Sequence, residues 1–120
     1  MLEKKTSLGK IHFPESVIER IIEDAIASCD GKVSLGNYKG KYMSYVPGSD
    51  FAIEETMGGL DITVYVIIRF GAGIRSCSRQ IIEYINENVE KVMGERPRTV
   101  KIIVTGIQSR SIARRHIEIT

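Results

Sequence analysis

The sequence predicts an α+β fold, a two-layer sandwich in which two helices pack on one face of a mostly antiparallel sheet of three or four strands. Between residues 60 and 70, large apolar residues occupy every second position, the period that places them on one face of a strand. In residues 14–29 and 74–93 the apolar spacing is that of one helical stripe. Each element therefore has one apolar face, and two layers let these faces cover each other.

The segment from residue 60 to residue 93 organises the rest of the chain. Its strand turns six large side chains to one side, each worth about 1.5–3 kcal/mol when removed from water. The residues 71–73, Gly-Ala-Gly, then end the strand period, and a helix follows that ends near Gly94. The six residues predicted to enter the core are Leu60, Ile62, Val64, Val66, Ile68 and Phe70.

The first half of the domain shows weaker patterns. A short strand at residues 9–13 is followed by a helix that ends at Gly31. Between residues 32 and 50 we expect a loop with one short strand, near 33–35 or 41–46.

A hairpin is predicted to precede the central strand. Residues 51–57 have a strand pattern, and Gly58 and Gly59 have the composition of a two-residue turn. In that register Met57 lies opposite Leu60, and the apolar faces of the two strands coincide.

The 120 residues are predicted to form one domain with two short extensions. Residues 1–8 are expected to be a flexible N-terminus. Residues 9–107 form the domain, which closes with a strand at 99–107. Residues 108–120 are a basic tail, which fits either a short helix or an extra strand.

Composition excludes several classes of protein. The 17 basic and 15 acidic residues give a net charge of +2, which argues against a dedicated nucleic-acid binder. No apolar run approaches the roughly 20 residues that span a bilayer, and no signal region is evident, so we expect a cytoplasmic protein that reaches a membrane only peripherally. Cys29 and Cys77 are predicted to be buried thiols, and neither His12 nor His116 has ligand neighbours for a metal.

No group of residues predicts catalysis, a cofactor or a small-molecule substrate. The glycine bend at 71–73 is similar to the beginning of a dinucleotide-binding loop, but Ser76 replaces its third glycine and the required acidic residue is missing. What remains is the hypothesis that Arg75 and Arg79 bind an anion at the start of the second helix.

Five residues predict an interaction surface. Tyr65 and Ile67 place aromatic and apolar groups on the face of the central strand that should meet solvent. The basic tail adds Arg110, Arg114 and Arg115, which suit an acidic partner, RNA or anionic lipid.

Three stretches of the chain resemble one family. They are residues 9–18 (GKIHFPESVI), residues 61–71 (DITVYVIIRFG) with the helix that follows, and the closing strand at residues 99–107 (TVKIIVTGI). The family is the alkaline shock proteins of Gram-positive bacteria, also called the Gls-type envelope stress response family. The resemblance implies a cytoplasmic, non-enzymatic scaffold for cell-envelope homeostasis. It also implies that the protein associates with itself or with a small membrane-anchor protein.

A small RNA-binding module of the KH type is the alternative. Two helices on a three-stranded sheet with a glycine bend also describe that class. Its distinguishing feature is a Gly-x-x-Gly clamp between two helices, whereas Gly71 and Gly73 lie between a strand and a helix.

Overall fold

Nine strands and two helices make up the described part of this computed structural model, which comprises residues 2–6, 9–13, 15–39, 44–45 and 50–120. Strands β1 and β2 pair with each other, as do β4 and β5, and the remaining five strands form the main sheet. The elements are β1 (Leu2–Thr6), β2 (Gly9–Phe13), α1 (Glu15–Ala27), β3 (Val33–Leu35), β4 (Tyr38–Lys39), β5 (Ser44–Tyr45), β6 (Phe51–Thr56), β7 (Gly59–Arg69), α2 (Ile74–Met93), β8 (Thr99–Gln108) and β9 (Ile112–Ile119).

Strand β7 organises the main sheet because three of the other four strands pair with it. On one edge β3 and β6 pair with it antiparallel, and on the other edge β8 runs parallel to it. Strand β9 pairs antiparallel with β8 and ends the sheet. The α+β fold is thus confirmed, but the sheet has five strands and one parallel pair. The parallel pair arises because α2 carries the chain from the end of β7 back to the beginning of β8.

One apolar cluster joins both helices to the inward face of the sheet. Helix α2 has the predicted limits: Gly94 follows it with a left-handed φ of 84°, and its N–H donates to the Glu90 carbonyl at 2.8 Å. Of the six core residues predicted in the central strand, five are buried. The largest fully buried side chains are Ile18, Ile22, Ile62, Ile68, Ile81, Ile85, Ile102, Val64, Val66, Val89 and Val104.

Phe70 does not belong to this core, and that prediction was wrong. Strand β7 ends at Arg69, and the side chain of Phe70 is 73% exposed. The chain turns at Gly71, which has a φ of 89°, and α2 begins only at Ile74. The helix therefore does not cover the Phe70 ring.

The hairpin between β6 and β7 has a different register from the predicted one. The turn is made by Met57 and Gly58, and Thr56 lies opposite Gly59. The hydroxyl of Thr56 donates to the Gly59 carbonyl at 2.9 Å, and Gly59 has a φ of 130° that favours glycine. Because the shift is two residues, the same side chains still face the core.

Strands β3 and β6 follow one edge of β7 and are interrupted at Tyr65. Where β3 ends, the N–H of Gly36 donates to the Tyr65 carbonyl at 2.9 Å, and the Tyr65 N–H donates to the Asp50 carbonyl at 2.8 Å just before β6. The chain thus leaves and rejoins the sheet at a single residue. Of the two places predicted for a short strand here, 33–35 is confirmed, and 41–46 lies mostly outside the described residues.

The tail is a strand, since β9 pairs with β8 over most of its length. A bulge in β8 shapes this pairing, because β8 has one residue more than β7 between Val104 and Gly106, and Thr105 is the extra residue. Gly106 lies under Ile112 of β9: a Cβ added at Gly106 would be 2.6 Å from Ile112 Cγ2.

Arg98 fastens the β6–β7 hairpin to the start of β8. Its side chain donates two hydrogen bonds to the carboxylate of Asp61, and the Thr99 hydroxyl donates a third at 2.9 Å. Hydrogen bonds from the Arg98 guanidinium, and then from Thr99, lower the pKa of Asp61. An added Cβ at Gly58 or Gly59 would lie 3.1 Å from the Arg98 side chain, so the turn glycines make room for it.

We expect Gly106→Ala to destabilise the domain by about 1–3 kcal/mol, because the new methyl group overlaps Ile112. In an Ile112→Ala background, Gly106→Ala should lower the free energy of unfolding by clearly less. Urea unfolding of the wild type, both single variants and the double variant gives this coupling energy. Equal costs of Gly106→Ala in the two backgrounds would show that Ile112 does not impose the constraint.

The Asp61 carboxylate should contribute stability above its unfolded-state pKa of about 3.9, and this contribution should be lost as the pH falls through its lower pKa in the folded state. We therefore expect the difference in unfolding free energy between wild type and Asp61→Asn to be largest at neutral pH and to shrink in acid. Urea unfolding at a series of pH values measures it. Glu87→Gln is the matched control, because Glu87 is exposed and forms no ion pair with any other described residue. A difference for Asp61→Asn that grows in acid would contradict this expectation.

Candidate interaction surface

The main sheet has an outer face, turned away from α1 and α2, on which polar and charged residues of three neighbouring strands converge. Most of these residues take the outward positions that alternate with the core positions of β7, β8 and β9, whereas Arg115 has the inward parity of β9 and is exposed at this outermost strand of the sheet. They line a shallow concavity of about 460 Å³, called here the outer hollow. Its lining consists of Asn37, Thr63, Tyr65, Lys101, Ile103, Thr105, Arg114, Arg115, His116 and Glu118.

The floor of the outer hollow is fixed by the bulge in β8. The Thr105 hydroxyl donates to the Gly36 carbonyl at 2.7 Å, and the Val66 carbonyl lies 3.3 Å from the same oxygen. Thr105, Asn37 and Ile103 are all buried. These contacts hold the floor of the outer hollow against the central strands.

The rim of the outer hollow is mainly cationic. Lys101, Arg114 and Arg115 carry positive charge there, and Glu118 is the acidic residue among the lining residues. The Glu118 carboxylate lies 4.0 Å from Lys101 Nζ and 3.6 Å from His116 Nε2. All of these rim groups are substantially exposed, so these ion pairs are weak and leave the rim able to meet an acidic partner.

The structure brings together three of the five residues predicted for the interaction surface. Tyr65, Arg114 and Arg115 line the outer hollow. Arg110 is exposed in the turn between β8 and β9 and does not line it. Ile67 faces outward as predicted but is only 4% exposed, so its side chain is already covered.

Sequence reasoning missed several residues of the outer hollow. Lys101 could have been found, because it lies at an outward position of the predicted closing strand. Asn37 and Thr105 could not, because their places depend on the chain leaving the sheet at Tyr65 and on the bulge in β8. His116 was considered only as a metal ligand, and the side chain of His12 lies outside the described residues.

Arg75 and Arg79 lie elsewhere, on the exposed side of the first turns of α2. Gly73 caps this helix without a side-chain hydrogen bond, and the first turn contains no acidic residue. Within the described part of the chain, neither arginine forms an ion pair. Their binding of an anion stays a prediction.

Strand β9 gives the main sheet an edge. It pairs with β8 on one side, and no other strand of the described residues pairs with its second side. The edge is eight residues long, and its outward positions carry Arg114, His116 and Glu118. An unpaired row of backbone N–H and C=O groups of this length is able to bind another strand.

Other chemical features of the described residues are structural. Cys29 and Cys77 are both buried free thiols, as predicted, and burial raises the pKa of the Cys29 thiol. No three metal-binding side chains cluster among the residues that the structure describes. None of the described helices combines the length and the apolar character needed to cross a membrane.

Fold and surface together define a small α+β domain with a cationic sheet face and an unpaired sheet edge. Over residues 3–109 the chain matches the model of the family of alkaline shock protein 23, whose description is a cell envelope-related function. The protein belongs to this family, which confirms the resemblance seen in its three sequence stretches. Among curated proteins and among solved structures, no match was found.

Proposed function

We propose that this protein is a non-enzymatic interaction module of the cell envelope that binds a small membrane-anchor protein, or another copy of itself, through the outer face of its sheet. The observation that carries this proposal is the outer hollow, where Tyr65 and a cationic rim surround a buried floor. Tyrosine and arginine are the residue types that contribute most at protein interfaces.

The arrangement of the domain in two layers supports partner binding by the outer face of the sheet. The inward face of the sheet is occupied by the helices, whereas its outward face carries Ile103 and Tyr65 among charged groups. Tyr65 is partly exposed and is the aromatic group that a partner would cover, and the charged groups around it would form the polar rim that is usual in protein interfaces. Since the rim is cationic, we propose a partner with acidic side chains on its binding surface.

The same surface and the family support a location at the membrane. A domain of the cell-envelope family with a cationic face would act at the cytoplasmic side of the membrane, held there peripherally by its partner. Each basic residue close to an anionic membrane surface adds about 1 kcal/mol of attraction, so the arginine pair on the rim would assist such a tether.

The groups on the outer face support binding more than catalysis. The hydroxyl of Thr105 is buried and bonded to a backbone carbonyl, so it is not placed as a nucleophile. His116 and Glu118 lie on the exposed rim, where water screens them and nothing holds a reacting group between them.

We expect the double variant Tyr65→Ala/Arg115→Glu to detach the protein from the envelope. It removes one aromatic anchor and reverses one rim charge, and we expect a loss of attachment of about tenfold, as for about 1.4 kcal/mol. The measurement is the distribution of the protein between membrane and soluble fractions of cells that express each form at equal levels.

The matched control is Tyr84→Ala/Lys91→Glu, which likewise removes one tyrosine ring and reverses one positive charge, on α2 in the helical layer. Thermal unfolding of both double variants checks that they fold. Unchanged fractionation of the Tyr65→Ala/Arg115→Glu variant, or equal loss in the control, would exclude the outer face as the attachment surface. Retention of RNA by the wild type on filters, falling steeply with salt, would instead favour the RNA-binding alternative.

A further inference from the structure

The edge of the main sheet carries a charge pattern that complements itself. Despite the bulge in β8, strand β9 alternates regularly, so Arg114, His116 and Glu118 all lie on the outer face. A basic residue thus stands at one end of a row of three and an acidic residue at the other. Glu118 is about half exposed and its own-chain partners lie at 3.6 and 4.0 Å, so it can still pair with another chain.

Symmetry limits how two copies of this edge can pair. Two identical strands that join antiparallel about a two-fold axis perpendicular to the sheet place one residue opposite its own copy. Every other opposing pair is then fixed, because the residues on the two sides are equally far from that central residue. The possible registers of β9 with itself therefore differ only in which residue is central.

The charged residues of β9 make some of these registers favourable and others unfavourable. With Arg114 or Arg115 at the centre, an arginine lies opposite its own copy and the pairing is repulsive. With Ile117 at the centre, both arginines lie opposite uncharged residues. With His116 at the centre, Arg114 of each copy lies opposite Glu118 of the other copy, which gives two favourable pairs.

We infer that β9 pairs antiparallel with β9 of a second copy in the register centred on His116, and so joins two five-stranded sheets into one. On the inward side, this register places Arg115 opposite Ile117 and Ala113 opposite Ile119, so the partner covers two half-buried isoleucines. The inference rests on the proposed interaction role and specifies a second copy as one partner. It also places the outer hollows of two copies side by side on one face.

Charge reversal tests the register. In sedimentation velocity at low salt, the wild type should dimerise, and Arg114→Glu or Glu118→Arg alone should weaken dimerisation about ten- to a hundredfold, because each places like charges opposite each other twice. A mixture of the two single variants should form a heterodimer, in which both opposite-charge pairs are restored. The doubly reversed variant Arg114→Glu/Glu118→Arg should dimerise again by itself.

Lys91→Glu, an equal change of charge on α2, is the control and should leave dimerisation unchanged, and thermal unfolding verifies that each variant folds. A monomeric wild type, a mixture that stays monomeric, or a doubly reversed variant that does not recover would each overturn the inference. The outcome is separable from that of the proposed function. If the wild type is monomeric but still fractionates with the envelope, only the β9 pairing is excluded. If it dimerises but does not fractionate with the envelope, only the envelope role is excluded.

Discussion

The burial of β7 beneath two helices is the constraint on which the rest of the structure depends. Its inward residues are buried, and hydrogen-bonded neighbours occupy both of its edges. A slip of one residue would turn this whole apolar set towards solvent, so the register of every neighbour is tied to the core. The helix that covers β7 also returns the chain to its side, which makes β8 parallel and places β9 at the edge.

The outer face inherits its order from this core. Because the inward positions of β7 and β8 are fixed by packing, their outward positions are fixed as well, and with them the places of Tyr65 and Lys101. The bulge at Thr105 changes this order at one point. It turns Gly106 to the outer face, where the missing side chain lets Ile112 pack close to Ile67.

The features that could be predicted from the sequence are those that depend on local signals, or on which side of a strand each residue faces. Helix α2 was correct at both ends, because a glycine bend precedes it and Gly94 follows it. The hairpin register was predicted wrongly because a two-residue shift leaves the same side chains facing the core. The choice between the two registers depends on Thr56 and on the distant Arg98. Phe70 was predicted wrongly because it continues the alternation of the strand, and alternation alone does not show that β7 ends one residue earlier, at Arg69.

The interaction surface also has parts that local signals predict and parts that depend on contacts between distant segments. Tyr65, Arg114 and Arg115 were identified from exposure patterns along single strands. The hollow they share requires β9 to lie beside β8 and β8 beside β7, which is a property of the topology and not of any one segment. Ile67 had the outward parity of a contact residue, yet it is buried because packing around Gly106 reaches across strands.

The arginines of β9 also bear on how an unpaired edge avoids indiscriminate association. An exposed strand of eight residues with isoleucine at several positions would pair in many registers if backbone hydrogen bonds alone decided. Adjacent Arg114 and Arg115 make registers centred on either of them repulsive, and they repel other cationic edges. The charges therefore act mainly by excluding the wrong pairings, which narrows the partners of this edge to strands with acidic residues at matching positions.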